Sequence, residues 1–564
     1  MKLIIKQYLA SLKEREELDA ILPDLLSQLG LNVFSRPSRG TRQDGVDVAA
    51  VGKLNGEEKV YLFSIKAGDL TRNFWDGDAL QSLRPSLNEI RDAYIHNRLP
   101  TEHKNKPIVI CLFFGGDIQE QVRPQVEGYI KQNTTNNISF EEWNGDKLAA
   151  LISENFLRED LLPENARSQL RKSLALLDEP ESSYKHFSSL IHLFSNPDKT
   201  TDKEILMRLR QINICLWILF SWARDTGNLE SAYLSSELSL LYSLELAKSY
   251  FPKKIKKAKE IQSVFCSIFR VHQKISSDYL KKIFPHIFKL HALSSSIRSS
   301  SNIDVNLKMF DVLGRLAMHG ILLSWNLQII NEDAVDVREQ HQQKIQGVYS
   351  AIQQLINNNP VLFLPIKDDQ AIDIAITLFF LMSDDNNNPF IQDWLNEIIY
   401  RADFAFLTNG QYPCHVHSYA ELLEHPQRNN EGYREEVTAG SVLFPMIAFW
   451  AALLKDDELY KRVQYLKKTH LPHCNFQFWY PCEDSEQHFY KNTEIHGAAL
   501  SNVHIESSMD LFEKQIVAEC EKTADFKELS AVKMGLYPII LMACRHYRLP
   551  IPLHFWNIKK TEPQ

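Results

Sequence analysis

Two residues of opposite charge stand where a strand pattern asks for apolar ones. The stretch "RQDGVDVAAVGKLNGEEKVYLFSIKAG", Arg42 to Gly68, reads as two apolar strands around a turn, with Asp47 inside the first and Lys66 near the end of the second. Side chains alternate across a strand, so Val60, Leu62, Ser64 and Lys66 share one face and Tyr61, Phe63 and Ile65 the other. An ammonium beside a buried sheet is costly unless a carboxylate or phosphate compensates it, and Asp47 is the nearest candidate if the two strands form a hairpin. A carboxylate and a lysine at one point suit phosphodiester hydrolysis. The carboxylate holds a divalent cation that polarises the phosphate and acidifies a water, while the lysine steadies the developing charge or orients that water. The alternative is a solvent-facing ion pair on an edge hairpin, worth ~0–1 kcal/mol.

The elements that must position this pair alternate between helix and strand. Lys2 to Gln28 reads as a helix with Leu18, Ile21, Leu22, Leu25 and Leu29 on one face, and "GLNVFS" opens a strand after Gly30. "VDVAAVG", the turn "KLNGEE" and "KVYLFSIKA" follow as the hairpin. A helix over about Leu80 to Ile95, the buried strand "KPIVICLFFGG", a helix from Ile118 to Gln132, the strand "ISFEEW" and the helix "GDKLAALISENFL" complete an α/β layer. From about Asn165 strand signals nearly vanish and one amphipathic helix follows another. The expected division is an α/β domain over 1–165, a linker over 166–183 containing "LDEPESS", a helical domain over 184–385 and a helical C-terminal domain over 386–564, with "SDDNNNP" at the last boundary. No fixed-period repeat supports a regular solenoid.

The N-terminal run "ELDAILPDLLSQLGLNVFSRPSRGTRQDGVDVAAVG…VYLFSIKAGDL", a helix, a "DGVD" strand and an "xxK" strand, resembles the PD-(D/E)XK nucleases, and among them the Mrr-like restriction endonucleases. The resemblance implies a restriction-endonuclease-like α/β domain, a mixed sheet flanked by helices, with the pieces to about Leu161 as its remaining layer. It implies that Asp47 is the metal-binding carboxylate, Lys66 the catalytic lysine and the Ile65 carbonyl a ligand of Mg²⁺ or Mn²⁺. Asp19, with Glu17 as the alternative, falls where such families place an acidic residue on the first helix, as a further metal ligand. The departure is Ser64, two residues before the lysine, where Glu or Gln is usual. A hydroxyl is a weaker metal ligand than a carboxylate, so either another carboxylate, Asp19, Glu17 or Glu58, stands in or the site is impaired. Such domains joined to large extra regions resemble effectors of prokaryotic restriction or anti-phage defence. The expectation is therefore a DNA endonuclease whose helical region senses or docks a partner, or a catalytically impaired DNA-binding scaffold of the same complex.

Around the pair, Arg36, Arg39 and Arg42 flank "GTRQDG" as phosphate-contacting candidates, and Arg72 in "AGDLTRNFW" offers another, with Phe74 and Trp75 either stacking or packed. The formal net charge of -8 advertises no global attraction to nucleic acid, which leaves local patches. The basic runs Pro252 to Glu260 and Lys461 to Lys468 read as solvated helix faces, with a DNA-tracking stripe as the alternative. Eight cysteines, several inside apolar runs, suit free thiols in a reducing cytosol. Cys414, His415 and His417, with His470, His473, Cys474, Cys482 and His488 further on, lack the paired spacing of structural zinc sites and read as packing. The charged N-terminal helix is no signal peptide, and the longest apolar run, Val442 to Leu454, is too short to span a bilayer, so the expectation is cytoplasmic with no membrane partner. No GxxxxGK[ST] motif occurs, so any NTP-driven step needs a partner protein, and cutting both strands favours a homodimer.

Overall fold

The structure is a computed structural model, and it describes residues 5–6, 9–10, 12–36, 43–54, 56–77, 82–155, 164–194, 201–297, 299, 301–425, 427, 431–491, 498–523 and 525–558. The chain forms two compact units, residues 1–271 and 272–564. The division falls inside a helix, rather than at the expected boundaries near 165 and 385.

In the first unit, helical residues at 5–6 and 9–10 precede a π turn, Glu14–Leu18, that runs directly into α1 (Asp19–Gln28). Next come β1 (Asn32–Ser35), β2 (Val48–Lys53) and β3 (Glu58–Lys66), an antiparallel meander. The short α2 (Arg72–Asp76) and α3 (Leu83–Glu89) then carry the chain to β4 (Ile108–Phe114). Finally α4 (Arg123–Asn133) leads to β5 (Ile138–Trp143) and α5 (Gly145–Asn155). The strands lie in sequence order, with β3, β4 and β5 parallel, so β3 is antiparallel to one neighbour and parallel to the other. The parallel pairings need crossover segments, and α2, α3 and α4 supply them.

Alternation along β3 sends Val60 and Leu62 into one apolar cluster with Ile110 and Leu112 of β4, Leu83 and Leu87 of α3, and Trp75 of α2. Tyr61, Phe63 and Ile65 take the other face, where Phe63 meets Trp143 edge-on with centroids 5.1 Å apart. α1 packs against β1, β2 and α5.

Helices continue the unit: α6 (Glu164–Ala175), α7 (Pro180–Phe194), α8 (Asp202–Thr226), α9 (Glu230–Ala247) and the first half of α10 (Lys256–Ile287). The segment expected as a linker is instead α6, a tight turn and the start of α7. Glu179 N–H donates to Leu176 O at 2.9 Å, and Ser183 Oγ donates to Ser173 O at 2.7 Å. By length and composition α8 alone among the described helices could cross a membrane, yet 78% of its apolar window is buried inside the protein.

The second unit is mainly helical: α11 (Asn302–Ile329), α12 (Val335–Asn358), α13 (Ala371–Leu381), α14 (Asn388–Leu407), α15 (Leu443–Leu454), α16 (Asp457–His470), α17 (Met509–Lys522) and α18 (Pro538–Tyr547), with shorter turns between. It also holds a small three-stranded sheet absent from the sequence reading: β6 (Gly440–Ser441) parallel to β7 (Asn475–Pro481), which pairs antiparallel with β8 (Ala498–Asn502). "SDDNNNP" is a helix boundary, a single 3₁₀ turn over Asp385–Asn387 that leads into α14. The cysteines are free thiols, most of them buried, with Cys266 exposed.

Candidate functional site

The turn before β2 sets the site. Asp44 and Gly45 both adopt left-handed backbone conformations, φ 45° and 82°. Such a turn favours glycine, and a Cβ on Gly45 would lie 2.1 Å from the Ser86 carbonyl oxygen of α3. Asp44 is tied to Arg98 by an ion pair, so the turn is held against the α3 side.

The chain leaves this turn with Asp47 bonded twice to β3. Its N–H donates to Phe63 O at 2.8 Å, and its Oδ2 accepts the Ile65 N–H at 2.7 Å. Burial pushes the Asp47 carboxyl up to about 6; the Ile65 N–H and the nearby Lys66 ammonium pull it back, and Glu14 pushes it further up. The carboxylate is thus short of compensating positive charge. Lys66 is 5% exposed, and its Nζ meets both oxygens of Glu14 at 3.2 Å. Asp47, Lys66 and Glu14 form one charged cluster at the end of the apolar row of β3.

Glu14 is the residue that sequence reasoning missed. Of the expected first-helix carboxylates, Glu17 is fully buried, ion-paired to Arg224 of α8 at 2.9 Å, and accepts the Lys13 N–H at 2.9 Å. Asp19 lies half-buried in the first turn of α1. The structure therefore brings Glu14 to Lys66 and anchors Glu17 in the helical layer. The π turn explains the difference: Leu18 N–H reaches back five residues to Lys13 O at 3.1 Å, which changes the faces an α-helical reading assigns to 14–17. The local signal was two acidic residues three apart at a helix start.

The remaining expected residues scatter. Ser64 is buried beside the pair, 1% exposed, on the Lys66 face of β3. Glu58 lies at the far end of β3, paired with Lys106 at 2.9 Å, and plays no part in the cluster. Arg72 is exposed on α2; its neighbour Trp75 is core, edge-on to Tyr129 at 5.5 Å, while Phe74 is 42% exposed. Arg39 and Arg42 lie outside the described residues. The second basic run is accounted for within α16: Lys461 pairs with Asp457, Arg462 with Glu458, and Lys467 donates to Leu471 O and Cys474 O, both at 2.9 Å.

Among the described residues no group of three or more His, Cys, Asp or Glu side chains is placed to hold a metal ion. Asp47 and Glu14 are the two carboxylates of the cluster, and both oxygens of Glu14 are engaged by Lys66 Nζ. No family model, no curated protein and no solved structure matches the chain.

Proposed function

We propose that the first unit is a PD-(D/E)XK-type module, similar to Mrr-like restriction endonucleases, that hydrolyses DNA phosphodiesters. The observation that carries the reading is the convergence of Asp47, Lys66 and Glu14 at the point where an antiparallel hairpin passes into a parallel sheet. Asp47 and Glu14, with the Ile65 carbonyl, would hold Mg²⁺ or Mn²⁺, which when bound supplies Lewis-acid activation of a phosphate and of a water. Lys66 then has two partners to choose between. Glu14 holds its ammonium now, and a bound phosphate would compete for it with the same charge-assisted geometry. The Asp47 carboxylate, fixed by the Ile65 N–H, keeps one side of the site from rotating away. Ser64 contributes a hydroxyl where a second strand-borne carboxylate is usual, and Glu14 is the group that takes over that charge.

The wider role, an effector of restriction or anti-phage defence in the cytoplasm with a partner protein and a DNA-cutting homodimer, rests on the resemblance together with the long helical region. The test is plasmid nicking by the full chain in Mg²⁺ and in Mn²⁺, beside Asp47→Ala and Lys66→Ala. Cleavage by the wild type and its loss in both variants is the expected result. Equal inertness of all three, with DNA binding unchanged by EDTA, would replace catalysis with the second reading, a nuclease-fold DNA scaffold, which Ser64 specifically favours.

A further inference from the structure

A chain of contacts inside the first unit runs from the helical layer to the charged cluster on β3. Arg224 stands in the last turn of α8, its guanidinium carbon 5.4 Å from the centroid of the Phe220 ring. Its Nη1 donates to Glu17 Oε1 at 2.9 Å, and Glu17 Oε2 accepts the Lys13 N–H at 2.9 Å. One oxygen of this fully buried carboxylate thus holds α8, and the other holds the residue that caps the π turn. The next residue is Glu14, whose two oxygens both meet Lys66 Nζ at 3.2 Å.

The turn in between has two hydrogen-bond registers open to it. Leu18 N–H goes to Lys13 O at 3.1 Å and Asp19 N–H to Glu14 O, each five residues back. A regular α-helical start would send Leu18 N–H to Glu14 O, four residues back. The wider register is the rarer one and persists as a single turn within helices, often at functional sites. Contacts at its two ends separate the registers here. Returning to the α register rotates the residues before the turn by about 100° around the axis of α1, which takes the Lys13 N–H off Glu17 and Glu14 off Lys66. Lys66 cannot follow, because it is 5% exposed on a strand that is paired at that residue to β4. Glu14 is 31% exposed and has solvent to move into. A carboxylate out of water is costly unless its oxygens are met, so the buried Glu17 gives the turn a definite preference.

We propose that Arg224 is a positioning residue for Lys66: by holding Glu17 it selects the π register at 14–18, and that register sets Glu14 on the Lys66 ammonium. The end of α8 thereby governs whether Lys66 is clamped or released for another anion, and the bearing of this on catalysis rests on the nuclease reading.

The test reads Lys66 itself and needs no cleavage. The full chain is acetylated briefly with N-hydroxysuccinimidyl acetate as wild type, Arg224→Met, Glu14→Gln and the double variant, and Lys66 modification is quantified by mass spectrometry. Lys147, paired with Glu141 at 2.8 Å, is the internal reference. Methionine keeps an apolar stem beside Phe220 and removes the charge. A nearly buried ammonium freed from its carboxylate gives up its proton more readily, so each single variant should raise the Lys66 rate at least about fivefold relative to Lys147. The double variant should match Glu14→Gln within about twofold, because Arg224 acts on Lys66 through Glu14. A Lys66 rate unchanged in either single variant would overturn the proposal. So would rates that multiply in the double variant, which is what mere loosening of the fold produces. If Arg224→Met does not fold by circular dichroism and thermal melt, Glu17→Gln takes its place, since it exchanges one of the two acceptor oxygens for a donor; the same rise and the same match are expected, and the same failures overturn the proposal. These outcomes with no plasmid nicking would retire the nuclease reading and leave the coupling standing.

Discussion

Replacing Asp47 by asparagine removes a carboxyl whose pKa stands above the ordinary value, and the consequence has a definite sign. Folding moves this group from the ordinary 3.8 up to about 6, so between those values the folded chain holds a proton that the unfolded chain has released. Stability from this group is therefore full below pH ~4 and is lost as pH rises through about 6. A gap of about two pH units at 1.36 kcal/mol each amounts to about 3 kcal/mol, an upper figure because the carboxyl keeps some solvent contact. Asp47→Asn keeps an oxygen for the Ile65 N–H but has no proton to lose. The assay is amide hydrogen exchange of peptides covering β3, wild type against variant at matched pH, which reads the opening of the hairpin rather than of the whole chain. The variant should gain on the wild type by up to about 3 kcal/mol between pH 4 and pH 7, with the steepest change near pH ~5. Millimolar Mg²⁺ should shrink that gain by favouring the charged carboxylate in the wild type alone. A difference flat with pH would refute the burial argument, and a pH-dependent difference indifferent to Mg²⁺ would refute the metal reading while leaving the burial argument intact.

Three further outcomes are expected. Arg224→Ala removes an ion-pair partner of the fully buried Glu17, so unfolding of the first unit should ease by up to about 3–5 kcal/mol in denaturant titration, and an unchanged midpoint would count against a stabilising buried pair. Gly45→Ala forces a Cβ onto the Ser86 carbonyl at a left-handed φ, and should cost about 1–3 kcal/mol in the same titration; a neutral result would mean the turn backbone yields freely. A double-mutant cycle of Glu14→Gln with Lys66→Met should show a coupling of about 1 kcal/mol or more, since Lys66 is nearly buried, whereas additivity would place the two side chains out of contact.

What the sequence exposed and what it hid have physical reasons. Lys66 stood out because strand alternation is strict, so a charge in an apolar row is conspicuous whatever the tertiary context, whereas Asp47 stands one residue before β2, not inside the strand as its apolar neighbours suggested. Glu14 was not, because "EREE" offers acidic residues on several faces and only the π turn decides which one looks toward β3. The anchor of Glu17 was beyond any local pattern, since Arg224 is 207 residues away. "LDEPESS" misled because a proline with acidic and serine neighbours has the same composition at the first turn of a helix as in a linker; here Pro180 opens α7. The small sheet was hidden because β6 is two residues long and β7 ends at Pro481, too little alternation to separate from the helices around it.

The contacts that build the site also lie on a ladder of loop sizes. Asp47 reaches Ile65 across 18 residues, Lys66 reaches Glu14 across 52, and Glu17 reaches Arg224 across 207. Closing the longest costs only ~2 kcal/mol more than closing the shortest, so the difference matters little to the finished protein. It matters to a chain being made. At roughly 5–20 residues per second the hairpin and its carboxylate are complete some 10–30 s before Arg224 has been synthesised. For that interval Glu14, Asp47 and Lys66 are already on the nascent chain while Arg224, the distant ion-pair partner of Glu17, is not.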